Sequence, residues 1–166
     1  MDRSYKKPKP EDTAQICLNG HVVLSSVERF PQFQKAFCEE CGKRTIEGCE
    51  SCKWPIAGPG PHAWMGSSGP FRPPKFCGEC GTAFPWTQMA LDSAKEYADG
   101  LDTLTDDEKT ALKTTLDDLT VDSPQTPVAA QRFKGLLKKA GPAAATVIQA
   151  VITNVITQEA KRWMGL

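Results

Sequence analysis

The sequence contains Phe-Cys-Glu-Glu-Cys-Gly at residues 37–42 and Phe-Cys-Gly-Glu-Cys-Gly at residues 76–81. A third Cys-x-x-Cys pair, Cys49 and Cys52, lies between them. In such a pair, called a knuckle below, two thiolates converge on one cation from a tight turn. Glycine after the second cysteine permits backbone conformations that aim amides at sulfur. These knuckles indicate a metal-stabilised fold.

A fourth pair, Cys17 and His21, lies upstream of the knuckles. Seven cysteines are an odd number and cannot all form disulfides, whereas seven thiolates and one imidazole complete two tetrahedral sites. Four protein ligands leave no open coordination position, so we predict two structural zinc ions per chain. The predicted zinc ligands are Cys17, His21, Cys38, Cys41, Cys49, Cys52, Cys77 and Cys80. His62 is surplus to both sites and is interpreted as a loop residue.

The four pairs can combine in two ways. In tandem order, the pairs within residues 17–41 form the first site and those within residues 49–80 form the second, and we favour this order. An interleaved order, as in cross-braced RING-type domains, uses the same eight ligands and stays open. Seven residues separate Cys41 from Cys49, which matches RING spacing poorly.

Composition divides the 166-residue chain near Trp86, because no cysteine follows Cys80. Residues 1–14, rich in Lys, Pro and acidic residues, are predicted to form a flexible basic tail. Residues 15–86 are predicted to form a double zinc-ribbon module of short strands and loops. Its run Val22-Val23-Leu24 is typical of a brief strand, and the proline- and glycine-rich residues 54–74 of a long loop.

Residues 87–166 are predicted to be helical. The first helix covers residues 87–99, and the second opens with a capping box at Thr105 and Glu108. The third begins at Thr126-Pro127, with Thr126 as its cap, and ends at Gly141. The last begins at Pro142, with an apolar face that continues to Ala160. The predicted fold class is therefore small α+β: tandem zinc ribbons of short β-hairpins and knuckles, followed by about four helices.

Aromatic side chains cluster beside the knuckles and are predicted mostly to pack over them, because small metal domains have little other core. They are Phe30, Phe33, Phe37, Trp54, Trp64, Phe71, Phe76, Phe84 and Trp86. The alternative is base stacking, with phosphate contacts from Lys43, Arg44, Lys53, Arg72 and Lys75. The formal net charge of zero disfavours a DNA-coating protein.

The chain resembles a bacterial double zinc-ribbon family of unknown function, in which the ribbon pair precedes a helical tail. Residues 16–22, 37–42, 76–81 and 84–87 carry the resemblance, and residues 118–134 extend it into the tail. The resemblance spans roughly residues 15–166. It implies metal ligands at the eight matched positions and a cytoplasmic bacterial setting, and it brings no activity with it.

We therefore predict a zinc-stabilised binding or adaptor protein that contacts a protein partner, a second copy of itself or a nucleic acid. No enzymatic function is predicted, because no open metal position or nucleophile beside a base is recognisable. The alternative is an effector that acts on a membrane or self-assembles through the last amphipathic helix; a RING-like ligase or other enzyme ranks below it. We expect no transmembrane segment, because no apolar run reaches roughly 18 residues.

Overall fold

The computed structural model describes residues 8–60 and 71–166, so His62 and Trp64 lie outside the described residues. The chain divides into two compact units, one ending at Thr87 and the other beginning at Gln88. We call them the ribbon unit and the helical unit. The division falls one residue beyond Trp86, where the cysteine-rich composition ends. No helix of the described residues is long and apolar enough to cross a bilayer.

The ribbon unit is built around a three-stranded antiparallel sheet in the order β2-β1-β3. Its strands are β1 Gln15–Cys17, β2 Val22–Leu24 and β3 Thr45–Ile46, with a 3-10 helix at Pro31–Phe33. Strand β2 occupies the run predicted from its β-branched residues. The short strands bury few apolar side chains. Among the described residues of this unit, eight buried ones form the core cluster: Ala14, Ile16, Ile46, Cys49, Ile56, Cys77, Phe84 and Trp86.

The ribbon unit begins before Gln15, so the predicted tail boundary at residue 14 is wrong. Thr13 forms a β-bridge with Ala57, and Ala14 is fully buried. The Asp12 carboxylate is also buried, 2.7 Å from the Ser26 hydroxyl that donates to it and 3.1 Å from the Arg29 guanidinium. A buried carboxylate requires such partners. Because they lie 14 and 17 positions along the chain, local composition did not reveal them.

The helical unit contains five helices among its described residues. They are α1 Pro85–Asp99, which begins in the ribbon unit, α2 Asp106–Asp118, α3 Thr126–Ala140, α4 Pro142–Ile152 and α5 Gln158–Met164. Helix α1 starts two residues earlier than predicted, because proline suits a first helical position. The core of this unit is much larger than that of the ribbon unit, with nineteen buried residues in one cluster.

The predicted capping box of α2 is present. The Thr105 hydroxyl accepts a hydrogen bond from the Glu108 amide at 3.4 Å, and the Glu108 carboxylate accepts one from the Thr105 amide at 3.0 Å. The predicted cap of α3 is wrong, because Thr126 is the first helical residue and its hydroxyl donates to the Val121 carbonyl instead. That hydroxyl also accepts from the Ser123 amide, so it holds the preceding turn together.

The segment predicted as one last helix is two helices. Helix α4 ends at Ile152, and the Thr157 hydroxyl starts α5 by accepting a hydrogen bond from the Ala160 amide. The Thr157 amide donates to the Leu119 carbonyl at 3.0 Å, which fixes Thr157 outside a helix. The apolar residues of α4, Ala144, Ile148 and Ile152, are buried in the core of the helical unit.

The capping box yields a stability prediction. Replacing Thr105 by Ala removes the acceptor for the Glu108 amide and should lower the free energy of unfolding of the helical unit by about 1 kcal/mol. The matched control is Thr114→Ala, in the exposed middle of α2, where Ala is the better helix former and no loss is expected. Chemical denaturation followed by circular dichroism measures both variants. Equal losses would show that the cap does not stabilise the unit.

Candidate metal centres

The eight predicted ligands converge in two groups of four. The first group is Cys17, His21, Cys38 and Cys41, and the second is Cys49, Cys52, Cys77 and Cys80. Within each group, one donor atom from every residue lies within 4.8 Å of the others. The grouping follows tandem order, so the cross-braced order that was left open from the sequence is not the one adopted.

The distances between donor atoms fit tetrahedral zinc. For zinc–sulfur bonds of about 2.3 Å, the sulfur atoms of a tetrahedron lie about 3.8 Å apart, and a histidine nitrogen lies about 3.6 Å from a sulfur. The observed Sγ–Sγ distances are 3.7 Å for Cys17–Cys41, 3.7 Å for Cys49–Cys80 and 3.6 Å for Cys52–Cys77. The donor set and spacing of both groups therefore suit a zinc ion.

All three knuckles use one backbone arrangement. The amide of the first cysteine donates a hydrogen bond to the carbonyl five residues later. The nitrogen–oxygen distances are 2.8 Å from Cys38 to Lys43, 2.8 Å from Cys49 to Trp54 and 2.9 Å from Cys77 to Thr82. The carbonyl of the same cysteine accepts from the amide four residues later. Each knuckle is flanked by one β-bridge: Phe37 with Arg44, Gly48 with Pro55, and Phe76 with Ala83.

The residue after the second cysteine adopts a left-handed conformation in every knuckle. Gly42 and Gly81 have φ of 68° and 72°, as their position in the sequence suggested. Lys53 occupies the equivalent place in the middle knuckle with φ of 63°, and it is the only non-glycine residue with positive φ in the described part of the chain. Its ammonium group donates to the Glu50 carbonyl at 2.8 Å across the turn.

The first site joins the hairpin of β1 and β2 to the first knuckle. The Nδ1 atom of His21 lies 3.6 Å from the Cys38 sulfur and is therefore the nitrogen that faces the other donors, whereas its Nε2 lies 3.7 Å from the Glu40 carboxylate. A carboxylate beside the outer nitrogen orients a ligating imidazole. Burial raises the pKa of the Cys17 thiol, whereas a hydrogen bond from the Lys43 amide lowers the pKa of Cys41.

A close approach fixes the turn between Cys17 and His21. Gly20 has φ of 88°, and a Cβ atom built on it would lie 2.9 Å from the Trp86 Cβ. The Trp86 ring stacks on Phe84 with centroids 4.7 Å apart, and its indole nitrogen donates to the Pro74 carbonyl at 2.9 Å. Only glycine satisfies both the dihedral angle and the contact at this turn.

The second site joins the middle and last knuckles. Cys49 and Cys77 belong to the buried core, whereas Cys52 and Cys80 are exposed. Hydrogen bonding by the Thr82 hydroxyl and amide lowers the pKa of Cys80 to about 6. The Trp54 amide lowers the pKa of Cys52, but desolvation and the neighbouring sulfurs outweigh it and raise that pKa to about 12. Zinc must displace the remaining protons, so its binding weakens as the pH falls.

Five of the eight described aromatic side chains beside the sites are buried or half-buried, in line with the prediction that most would pack, and three are exposed. Phe84 and Trp86 are buried, and Trp54 and Phe71 pack against the same core. Phe30, Phe33 and Phe37, in contrast, are 36%, 57% and 63% exposed. The exposed set lies within eight residues, immediately before and at the edge of the first knuckle. It is called the phenylalanine patch below.

Residues 10–164 match the model of a family described as "Uncharacterized protein conserved in bacteria" (DUF2321). No curated protein and no solved structure gives a significant match. The matched range includes all eight ligand positions and extends through α5 almost to the end of the chain.

Metal removal tests both sites together. We expect the purified protein to contain two zinc ions per chain, and chelation to unfold the ribbon unit while the helical unit, with its own core, stays folded. Elemental analysis measures the metal, and amide hydrogen exchange resolved by residue measures the two units separately. A metal-free ribbon unit that keeps its exchange protection in chelator would contradict the assignment.

The left-handed position of the knuckles gives a second prediction. Gly42→Ala and Gly81→Ala meet no atom within 4 Å, so their cost is confined to the backbone and should be about 1–2 kcal/mol of stability each. Lys53→Gly is the matched reverse substitution. It should cause no loss of stability, because glycine adopts the left-handed backbone conformation of residue 53 without strain. Denaturation of the zinc-loaded protein measures all three. A Lys53→Gly loss as large as the alanine losses would show that the knuckles are not equivalent.

Proposed function

Because the chain belongs to an uncharacterised bacterial family (DUF2321), whose description names no activity, we propose from the geometry that it is a zinc-stabilised protein-interaction module and not an enzyme. Each site offers four protein ligands to one ion. Such closed sites support structure and leave no coordination position for a substrate or an activated water. The zinc ions then hold the ribbon unit in shape, and the surface of that unit contacts the partner.

The phenylalanine patch carries the proposal. Among the residues that the structure describes, the core cluster of the ribbon unit has only eight buried members, yet three phenylalanine side chains lie at the surface. The rings of Phe30 and Phe33 lie 6.4 Å apart and are tilted by 45°, so these two present adjoining apolar surface. Exposed aromatic clusters on a small domain mark interaction sites, and aromatic side chains are enriched where proteins meet.

The charges around the patch favour a protein over a nucleic acid. Lys35 pairs with Glu39 at 2.6 Å, and Arg44 pairs with Glu50. The Lys53 ammonium group is hydrogen-bonded to the Glu50 carbonyl. Nucleic-acid binding depends on cations that are free to replace counterions at phosphates. Lys35 and Arg44, which are paired with carboxylates, serve that purpose poorly, whereas polar and charged side chains beside apolar rings are typical of a protein interface.

The membrane-acting or self-assembling alternative receives less support. It requires an apolar helix face that is available to lipid or to a second copy. Ala144, Ile148 and Ile152 of α4 are buried in the core of the helical unit instead, which leaves Val147 as the exposed large apolar side chain of that helix. A turn separates α4 from α5. The last part of the chain therefore does not present the long amphipathic helix on which that alternative was based.

The proposal is tested by capture experiments in the native bacterium. A tagged chain with Phe33→Ser and Phe37→Ser should lose a specific protein partner that the unsubstituted chain retains, because burial of exposed aromatic rings supplies much of the binding energy at such interfaces. The matched control carries Val121→Ser and Val128→Ser, which replace exposed apolar residues of the helical unit, and should keep the partner. Quantitative mass spectrometry compares the three samples.

The outcome is interpreted only for variants that still contain two zinc ions. An identical set of bound proteins for the phenylalanine and valine variants would overturn the role of the patch. Recovery of RNA or DNA, with an affinity that falls steeply as salt is raised, would favour the nucleic-acid alternative instead.

A further inference from the structure

The two metal centres differ in the solvent access of their thiolates. In the first centre, Cys17 and Cys38 are buried and Cys41 is half-buried. In the second centre, Cys52 and Cys80 are both exposed. Oxidation of a cysteine by peroxide follows its thiolate character and its exposure. Coordination to zinc makes every ligand a thiolate, so exposure distinguishes the two centres.

Each exposed thiolate of the second centre has a buried one beside it. The Cys80 sulfur lies 3.7 Å from that of Cys49, and the Cys52 sulfur lies 3.6 Å from that of Cys77. A disulfide requires a separation of about 2.05 Å, so each pair must close by roughly 1.6 Å. Loss of the central ion permits that movement. The centre therefore contains both a solvent-accessible thiolate and a second thiolate that can resolve its oxidised form.

From this arrangement we propose that the second metal centre is an oxidative modification site for hydrogen peroxide, which converts an exposed and a buried thiolate into a disulfide and releases one zinc ion. This inference rests on the proposed structural role of zinc. The first centre is expected to remain intact, because none of its three thiolates is exposed as those of Cys52 and Cys80 are. One end of the ribbon unit then loosens while the other stays folded.

The chemistry balances without a further reactant. The exposed thiolate attacks one peroxide oxygen; a sulfur–oxygen bond forms, the oxygen–oxygen bond breaks, and the departing hydroxide takes a proton to become water. The buried thiolate then attacks the resulting sulfenic acid; a sulfur–sulfur bond forms, the sulfur–oxygen bond breaks, and the departing hydroxide takes a second proton from the solvent to become water. Two thiolates are oxidised by two electrons in total, and hydrogen peroxide is reduced by the same two. Zinc loses two of its four ligands.

The test uses the full zinc-loaded chain and hydrogen peroxide alone. Zinc release is followed with a chromophoric chelator, and differential alkylation with mass spectrometry identifies the oxidised cysteines. We expect one zinc ion per chain to leave in an early phase, with oxidation confined to Cys49, Cys52, Cys77 and Cys80. A thiol reductant with added zinc should restore the second ion. Simultaneous loss of both ions, earlier oxidation of the first centre, or no release at all would overturn the proposal.

Two variants sharpen the comparison. Cys52→His and Cys80→His each replace an exposed thiolate with a nitrogen ligand, keep four ligands, and should lose the early phase of zinc release partly when single and fully when combined. If a variant does not retain two zinc ions, the proposal is judged only by which cysteines of the unsubstituted chain are oxidised first. A chain that contains fewer than two zinc ions before peroxide is added would contradict the structural zinc sites, which is a failure distinct from resistance to peroxide.

Discussion

The fold of the ribbon unit depends on eight side chains that come together in two groups of four. Its sheet has strands of two or three residues, and eight buried residues form its core cluster, against nineteen in the helical unit. Two of those eight are themselves ligands, Cys49 and Cys77. A core of this size offsets little of the conformational entropy lost on folding. Metal coordination at the two groups of four side chains would supply the stability that apolar burial does not, and would hold the irregular chain in one arrangement.

The eight side chains of the two groups could be located from the sequence because each pair is a local pattern. Two cysteines separated by two residues reach one ion through a turn whose hydrogen bonds close within six residues, as between Cys38 and Lys43. Glycine after the second cysteine is not required in every knuckle, since Lys53 adopts the same strained left-handed conformation in the middle one. Which pairs share an ion depends on the path of the chain between the pairs. The spacing of the cysteines therefore favoured tandem over interleaved grouping but could not establish it.

What the sequence did not reveal depends on contacts between distant residues. The burial of Asp12 follows from Ser26 and Arg29, and the turn at Gly20 is set by the approach of Trp86. The break between α4 and α5 was missed because apolar spacing continues through it, while the hydrogen bond from the Thr157 amide to Leu119 comes from another part of the fold. The capping box at Thr105 and Glu108 was found because both partners lie within one helical turn.

The exposure of Phe37 and Phe76 shows whether the knuckle geometry or the surrounding surface determines where an aromatic side chain lies. Each immediately precedes the first cysteine of a knuckle, and each forms the β-bridge that flanks it. Phe76 is half-buried among Trp54, Phe84 and prolines, whereas Phe37 is 63% exposed. Since the same knuckle geometry accommodates both environments, coordination does not force Phe37 into solvent. Its exposure is therefore a property of the surface around the first site, which is what the proposed role of the phenylalanine patch in binding a partner requires.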